Sequence, residues 1–231
     1  MNSAGNDIIS LNHIDSGRTK QERFYSKFLL PAEVDLYDNN HLAQLSFENF
    51  IWLLWSVKES VYKFCKRHSP KLVFSPGKIN VSIIQAPAMH DSHLFGTGEI
   101  TDVSFNNAEY YQCTVTAGNE IFYSRSKVYQ NIIHTVVNNR DCFDSMYWGI
   151  KYIEDSNPAG QSESVRLFIL KTLKNIYPHG GISIIVNDAD CPVIKMNEAE
   201  TNIPVSFTHH DKYVAYAFNL LDEAIPKFAV R

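Results

Sequence analysis

One stretch constrains the fold of this chain most: residues 46–67, SFENFIWLLWSVKESVYKFCKR. Phe47, Phe50, Ile51, Leu54, Val57, Val61 and Phe64 recur at three- and four-residue steps, which predicts one helix with an apolar, core-facing stripe. Ser46 is the expected N-cap, and Glu48 falls in the first turn, where the helix dipole favours a carboxylate. Lys66 and Arg67 close the helix as the dipole prefers, with Lys71 just beyond. A different face carries Trp55, Glu59, Tyr62 and Lys63. Glu59 and Lys63 are four apart and so are neighbours, but a solvated pair of this kind is worth only about 0.3–0.5 kcal/mol. Whether the pair is more than surface decoration depends on the rest of the chain.

The 231 residues are 45% hydrophobic and 20% charged, a balance that excludes a disordered or fibrous chain and suffices for one large domain or two small ones. No apolar run reaches the length of a membrane span, and the first residues, MNSAGNDIISLNHIDSG, have neither the basic start nor the apolar block of a secretory signal. Cys65, Cys113, Cys142 and Cys191 stand far apart without a C-x-x-C pair, which predicts reduced thiols in a cytoplasmic protein. A net charge of −4 argues against general nucleic-acid binding. Two local basic clusters remain, Arg18, Lys20, Arg23 and Lys27, and then Lys58, Lys63, Lys66, Arg67 and Lys71, either of which can steer an anionic partner.

Residues 5–12 read as a short buried strand with Asp7 near its start, and 19–28 as a short helix exposing the first basic cluster. Beyond Pro70, Pro76 and Gly77, the stretches 79–83, 94–103, 110–116 and 121–129 alternate between turn signals and predict an antiparallel meander. Residues 138–161 mix aromatics with breakers and read as irregular. A second helix is expected over 162–176, capped by Ser162 or Ser164, with Val165, Phe168, Ile169, Thr172, Leu173 and Ile176 buried. A buried strand over 182–186, another over 192–196, and a hairpin formed by 205–208 and 213–220 follow. The sequence shows no internal repeat and no linker.

Three motifs belong together. Gly5-Asn6-Asp7-Ile8-Ile9 resembles a G-x-D strand, Trp55–Lys63 resembles W-[ST]-x-K-E-[AS]-x-x-K, and Val205–His210 resembles S-x-[ST]-H. Their order resembles that of the 4′-phosphopantetheinyl transferases of the holo-acyl-carrier-protein-synthase type, in a longer bacterial branch. The resemblance implies an α+β fold, an antiparallel sheet packed on a long helix, in a single domain over 1–231 with an inserted meander and helix over about 76–195. It implies coenzyme A as co-substrate and an apo acyl carrier protein, or a related carrier domain, as partner, with neither nucleic acid nor membrane involved. Fatty-acid or polyketide synthesis would be the setting. Asp7 and Glu59 would hold Mg²⁺, which prefers one or two carboxylates, phosphate oxygens and water. Glu59 would take the serine proton, and Lys63 would contact the pyrophosphate. Lys58 would meet the nucleotide's 3′-phosphate or face solvent, His209 would bind the nucleotide end, and Arg18 and Arg23 would meet the carrier's acidic helix.

Each residue also has an ordinary reading. Asp7 can be a turn residue, His209-His210 a hairpin tip whose adjacent side chains point to opposite faces, Trp55 a packing residue, and 18–27 a solvated helix face. The resemblance has departures: Ile9 stands where some relatives carry a third carboxylate, and Asp190-Cys191-Pro192 replaces their Gly-Lys-Pro turn. Short relatives build their sites between subunits of a trimer and long ones between two internal halves, so monomer and homotrimer both stay open. One rival function is a non-catalytic binder of carrier protein or coenzyme A on the same scaffold. Another is an unrelated α+β enzyme acting on thioesters, which predicts that Asp7, Glu59 and Lys63 lie apart.

Overall fold

The computed structural model describes residues 3–39, 42, 44–89, 93–187 and 191–220. In chain order it opens with a fully buried strand, β1 (Gly5–Ser10), two four-residue helices, α1 (Ser16–Thr19) and α2 (Glu22–Tyr25), and α3 (Pro31–Asn39). The central stretch is α4 (Phe47–Lys66), with Ser46 accepting a hydrogen bond from the Asn49 N–H at 3.2 Å as the N-cap. Strands β2 (Ile79–Gln85), β3 (Glu99–Val103), β4 (Tyr111–Ala117), β5 (Glu120–Val128), β6 (Ile132–Asn138) and β7 (Met146–Tyr152) come next. Then follow α5 (Pro158–Ile176), β8 (Ile182–Val186), β9 (Pro192–Met196), β10 (Ala199–Glu200), β11 (Val205–His210) and β12 (Tyr213–Asn219).

All described strand pairs are antiparallel, in three sheets ordered β1-β6-β5-β4-β2, β11-β12-β7-β3 and β10-β9-β8. Period-two alternation sorts the strand side chains between layers. Ile133 and Val137 of β6 face α4, together with Ile9, Val57, Val61 and Phe64. Ile132 and Val136 face the other way, against Met146, Trp148 and Ile150 of β7 and Ala215 and Ala217 of β12. Val214, Tyr216 and Phe218 of β12 then meet Phe168, Ile169 and Leu173 of α5. The long helices therefore lie outside two sheets that pack face to face. The order of elements also recurs: strand, long helix, further strands, and a last strand that pairs with the first, β6 on β1 and β12 on β7. That recurrence is topological and leaves no repeat in the letters.

Several expectations change. The helix over 19–28 is two short pieces, because Gln21 is extended (φ −75°, ψ 125°) and restarts the chain after the Asp15-capped turn. The stretch 94–103 narrows to β3 and leaves the meander to pair with β7. The stretch expected as an insertion, about 76–195, supplies β2 and β4–β6 to the sheet that holds β1. Residues 138–161, read as irregular, contain β7, a strand buried through Met146, Trp148 and Ile150 on one face and half-buried at Tyr147 and Lys151 on the other, with aromatics on both sides that hide the alternation. Gly149 is forced there, since a Cβ would stand 2.7 Å from the Tyr216 ring and 2.9 Å from that of Phe168. Helix α5 starts earlier than expected, at Pro158, with Asn157 rather than a serine accepting from the Gly160 N–H as its cap. Strand β8, at an edge of the small sheet, is only half-buried.

Candidate active site

The site begins where β1 crosses α4. The first motif glycine allows the approach: a Cβ on Gly5 would lie 2.1 Å from the Ser60 carbonyl oxygen. The next residue on that face of β1 is Asp7, only 3% exposed. Glu59 and Lys63 project from the facing part of α4, one turn apart.

The three meet. Lys63 Nζ donates to Asp7 Oδ1 at 2.9 Å, lies 3.3 Å from Glu59 Oε1, and donates to Thr208 Oγ1 at 3.0 Å. Burial opposes the charge on Lys63, but the Asp7 and Glu59 carboxylates outweigh it and hold the ammonium above its usual value. Thr208 in turn donates to Asp7 Oδ1 at 3.1 Å. Trp55 Nε1 donates to Glu59 Oε2 at 3.0 Å, so the tryptophan expected only to pack also fixes a carboxylate. A reading in which Asp7, Glu59 and Lys63 lie apart disagrees with this geometry.

The third motif works through its spacing of two. Strand β1 ends its sheet, and the edge away from β6 is stitched to β11 by side chains. The N–H groups of Asn6, Ile8 and Ser10 donate to Ser206 Oγ (3.2 Å), Thr208 Oγ1 (3.3 Å) and His210 Nδ1 (3.0 Å). Alternate residues of one strand thus satisfy alternate amides of another, which would otherwise be buried without partners. His209, of opposite parity, lines a cavity instead. Burial first, then the Lys63 and His210 charges, hold it below the usual imidazole value, with Glu59 pulling the other way.

That cavity, about 320 Å³, lies beyond the C-terminal half of α4. Its walls include Lys63, Lys66, Arg67 and Arg166, a cationic set suited to phosphate groups, with His209 beside them. Arg67 also donates to the Pro192 (3.0 Å) and Val205 (3.2 Å) carbonyls, tying the helix end to β9 and β11. Sequence reasoning placed His209 at an anionic ligand but did not assign Lys66, Arg67 or Arg166 there. Arg166 carries no local signal, because α5 reaches the cavity only through the fold.

Lys58 is a correction. It reaches neither the cavity nor solvent: its side chain is 0% exposed, and its ammonium donates to Glu33 Oε2 (2.6 Å), Phe28 O (2.7 Å) and Pro76 O (3.1 Å). Burial holds its pKa below the usual value despite Glu33. Arg18 and Arg23, with Lys27, rim a second cavity of about 490 Å³ near the start of α4. The Arg18 guanidinium lies 5.1 Å from the centre of the Phe24 ring, and Arg23 Nε donates to Gln21 Oε1.

Among the described residues, no three His, Cys, Asp or Glu side chains gather as a metal-binding cluster. Two carboxylates do, since Asp7 and Glu59 reach the same ammonium. Asp7 Oδ2 is buried without a hydrogen-bond partner, an orphan anionic acceptor of the kind a hard cation satisfies. The donor set therefore fits one divalent cation that completes its shell with phosphate oxygens and water.

An α+β protein with a carboxylate pair and a lysine beside a cationic cavity has the layout of a phosphoryl-group transferase. Residues 3–116, just under half of the chain, match the family model of the 4′-phosphopantetheinyl transferase superfamily. The match covers the first two motifs and stops well before β11. No curated protein and no solved structure matches the chain. Among the described residues, no helix is long and apolar enough to cross a membrane.

Proposed function

We propose that this protein is a Mg²⁺-dependent 4′-phosphopantetheinyl transferase of the holo-acyl-carrier-protein-synthase type. It moves 4′-phosphopantetheine from coenzyme A to a serine of an apo carrier protein in fatty-acid, polyketide or related synthesis, in the cytoplasm. The observation that carries this reading is the meeting of Asp7, Glu59 and Lys63, drawn from two distant motifs, at the mouth of a cationic cavity.

In this reading the nucleotide end of coenzyme A lies against Lys66, Arg67, Arg166 and His209, which brings its diphosphate to Lys63. Asp7 and Glu59 hold the divalent cation, which when bound reduces the charge that repels a nucleophile. Glu59, oriented by Trp55, takes the proton of the carrier serine. The serine oxygen bonds to the phosphorus on the pantetheine side, and the bond to the departing 3′,5′-ADP breaks, with Lys63 stabilising the oxygen that leaves. Arg18 and Arg23 meet the carrier's acidic helix. From them a row of rings, Phe24, Trp52, Trp55 and Phe74, runs past Glu59, with centroid steps of 6.0, 6.3 and 5.3 Å.

The test is incubation with coenzyme A, Mg²⁺ and a panel of apo carriers, followed by mass spectrometry. A phosphopantetheine mass gain on a carrier serine is expected, and Asp7→Ala and Glu59→Ala should each lower its rate by about a thousandfold or more while keeping a cooperative melt. Coenzyme A binding without any mass gain would instead favour the non-catalytic binder.

A further inference from the structure

Lys63 occupies the ground that a cation shared by Asp7 and Glu59 would need. Its Nζ is 2.9 Å from one carboxylate and 3.3 Å from the other. It can leave towards the cationic cavity, which neither Asp7 nor Glu59 lines. Its side chain is 24% exposed, it lines the cationic cavity, and its four-carbon stem turns about several bonds. While the cavity holds no anion, Lys66, Arg67 and Arg166 give a fourth positive charge no reason to enter. The carboxylates keep it instead. A diphosphate in the cavity reverses that balance.

We propose that Lys63 is a displaceable plug. In the free protein it stands between Asp7 and Glu59 in place of a divalent cation, and the arriving diphosphate draws it out, so that cation and coenzyme enter as a pair rather than metal first. This rests on the transferase reading for the identity of the diphosphate but not for the position of the ammonium. The plug restrains Asp7 through Oδ1 alone, leaving Oδ2 buried and unpartnered, an acceptor still free for a cation once the lysine leaves. Thr208 accepts from Lys63 and donates to Asp7, and so keeps the carboxylate in place when the ammonium moves.

The experiment is a Mn²⁺ titration of the full chain, without coenzyme, read by electron paramagnetic resonance of the free ion. Wild type, Lys63→Met, Lys63→Gln and Lys66→Met are compared. Removal of the plug should tighten Mn²⁺ binding by about tenfold in both Lys63 variants, and Lys66→Met, the loss of an equal charge from the same cavity, should change it by about twofold or less. Equal tightening in all three would reduce the effect to general charge and overturn the plug, as would weaker or unchanged binding in the Lys63 variants. Loss of the cooperative melt in both Lys63 variants would also overturn it, because the ammonium would then be fixed structure. Selective tightening in a protein that modifies no carrier would uphold the plug and count against the transferase reading. Transfer without selective tightening would do the reverse.

Discussion

Lys58 and Lys63 leave the same helix little more than one turn apart and meet opposite fates. Lys58 turns under α4 to Glu33, with both side chains 0% exposed and two backbone carbonyls completing the ammonium's shell. Glu33 is equally spent, accepting from the Leu30 and Val81 N–H groups as well. Lys63 turns towards β1, where its partners Asp7 and Glu59 are 4% and 29% exposed and a cavity opens alongside. The first arrangement has every polar valence filled and no route for a ligand. The second has an orphan carboxylate oxygen and an open side. Two lysines that look alike in the sequence thus separate into a structural tie and a chemical group, and the separation comes from which partners the fold brings, not from the lysines.

The largest effect expected from that contrast is on stability. Lys58→Met leaves the Glu33 carboxylate buried without its cation and should cost about 3–5 kcal/mol in urea unfolding. Lys63→Met, beside a cavity and with Thr208 still donating to Asp7, should cost clearly less. Equal losses would erase the contrast. The double variant Lys58→Met/Glu33→Gln should recover part of the loss, because it removes the stranded charge but not the need of Phe28 O and Pro76 O for a donor.

A smaller effect separates the two regions by pH. His134 on β6 is 1% exposed, its Nε2 has no partner, and its ring centre lies 5.5 Å from that of Trp148. Burial, then the nearby Lys63 charge, push its pKa from 6.5 down to about 3. Below pH 6.5 the unfolded chain binds a proton there that the native state refuses, so stability falls as the pH falls towards 3. The slope from this group should approach about 1.4 kcal/mol per pH unit. His209, also held low, adds in the same direction. His134→Gln should flatten the dependence of unfolding free energy on pH between 6 and 4, leaving the His209 part. An unchanged slope would mean that the Lys63 side of the molecule does not exclude the proton.

Local patterns were readable in the letters. The bounds and cap of α4 follow from its periodicity and from Ser46, and β1 and the 205–220 hairpin from short apolar runs beside turn residues. Asp7, Glu59 and Lys63 were named because three motifs stood in a known order, and the structure brings them together. Destinations set by distant partners were not readable. Lys58 reads as a surface or ligand-facing group because Glu33, 25 positions away on another helix, gives no sign in the letters of where it points. Strand β7 was missed because aromatic side chains on both faces erase the two-residue rhythm. The role of Ser206, Thr208 and His210 is visible as a spacing of two, but reading it requires knowing that, among the described residues, β1 has no backbone ladder on the side where β11 lies.

The finest distinction between the two regions concerns a single hydrogen bond. Trp55 rests on Phe28 and Phe74, at centroid distances of 4.9 and 5.3 Å, and its Nε1–H points at Glu59 Oε2. Trp55→Phe keeps an aromatic ring among those neighbours and removes only the donor. If Glu59 needs to be held to receive a proton, the variant should lower kcat by about tenfold, roughly 1.4 kcal/mol, with KM for coenzyme A unchanged because the tryptophan is not part of the cationic cavity. Its unfolding free energy should stay within about 1 kcal/mol of wild type. A fall in stability that matches the fall in rate would make Trp55 a packing residue after all. Lys58→Met is the reverse case, a variant whose cost lies in the fold, and any activity measured on its folded fraction should be close to normal. One helix would then carry two kinds of charged residue that a rate measurement and a melt tell apart in opposite directions.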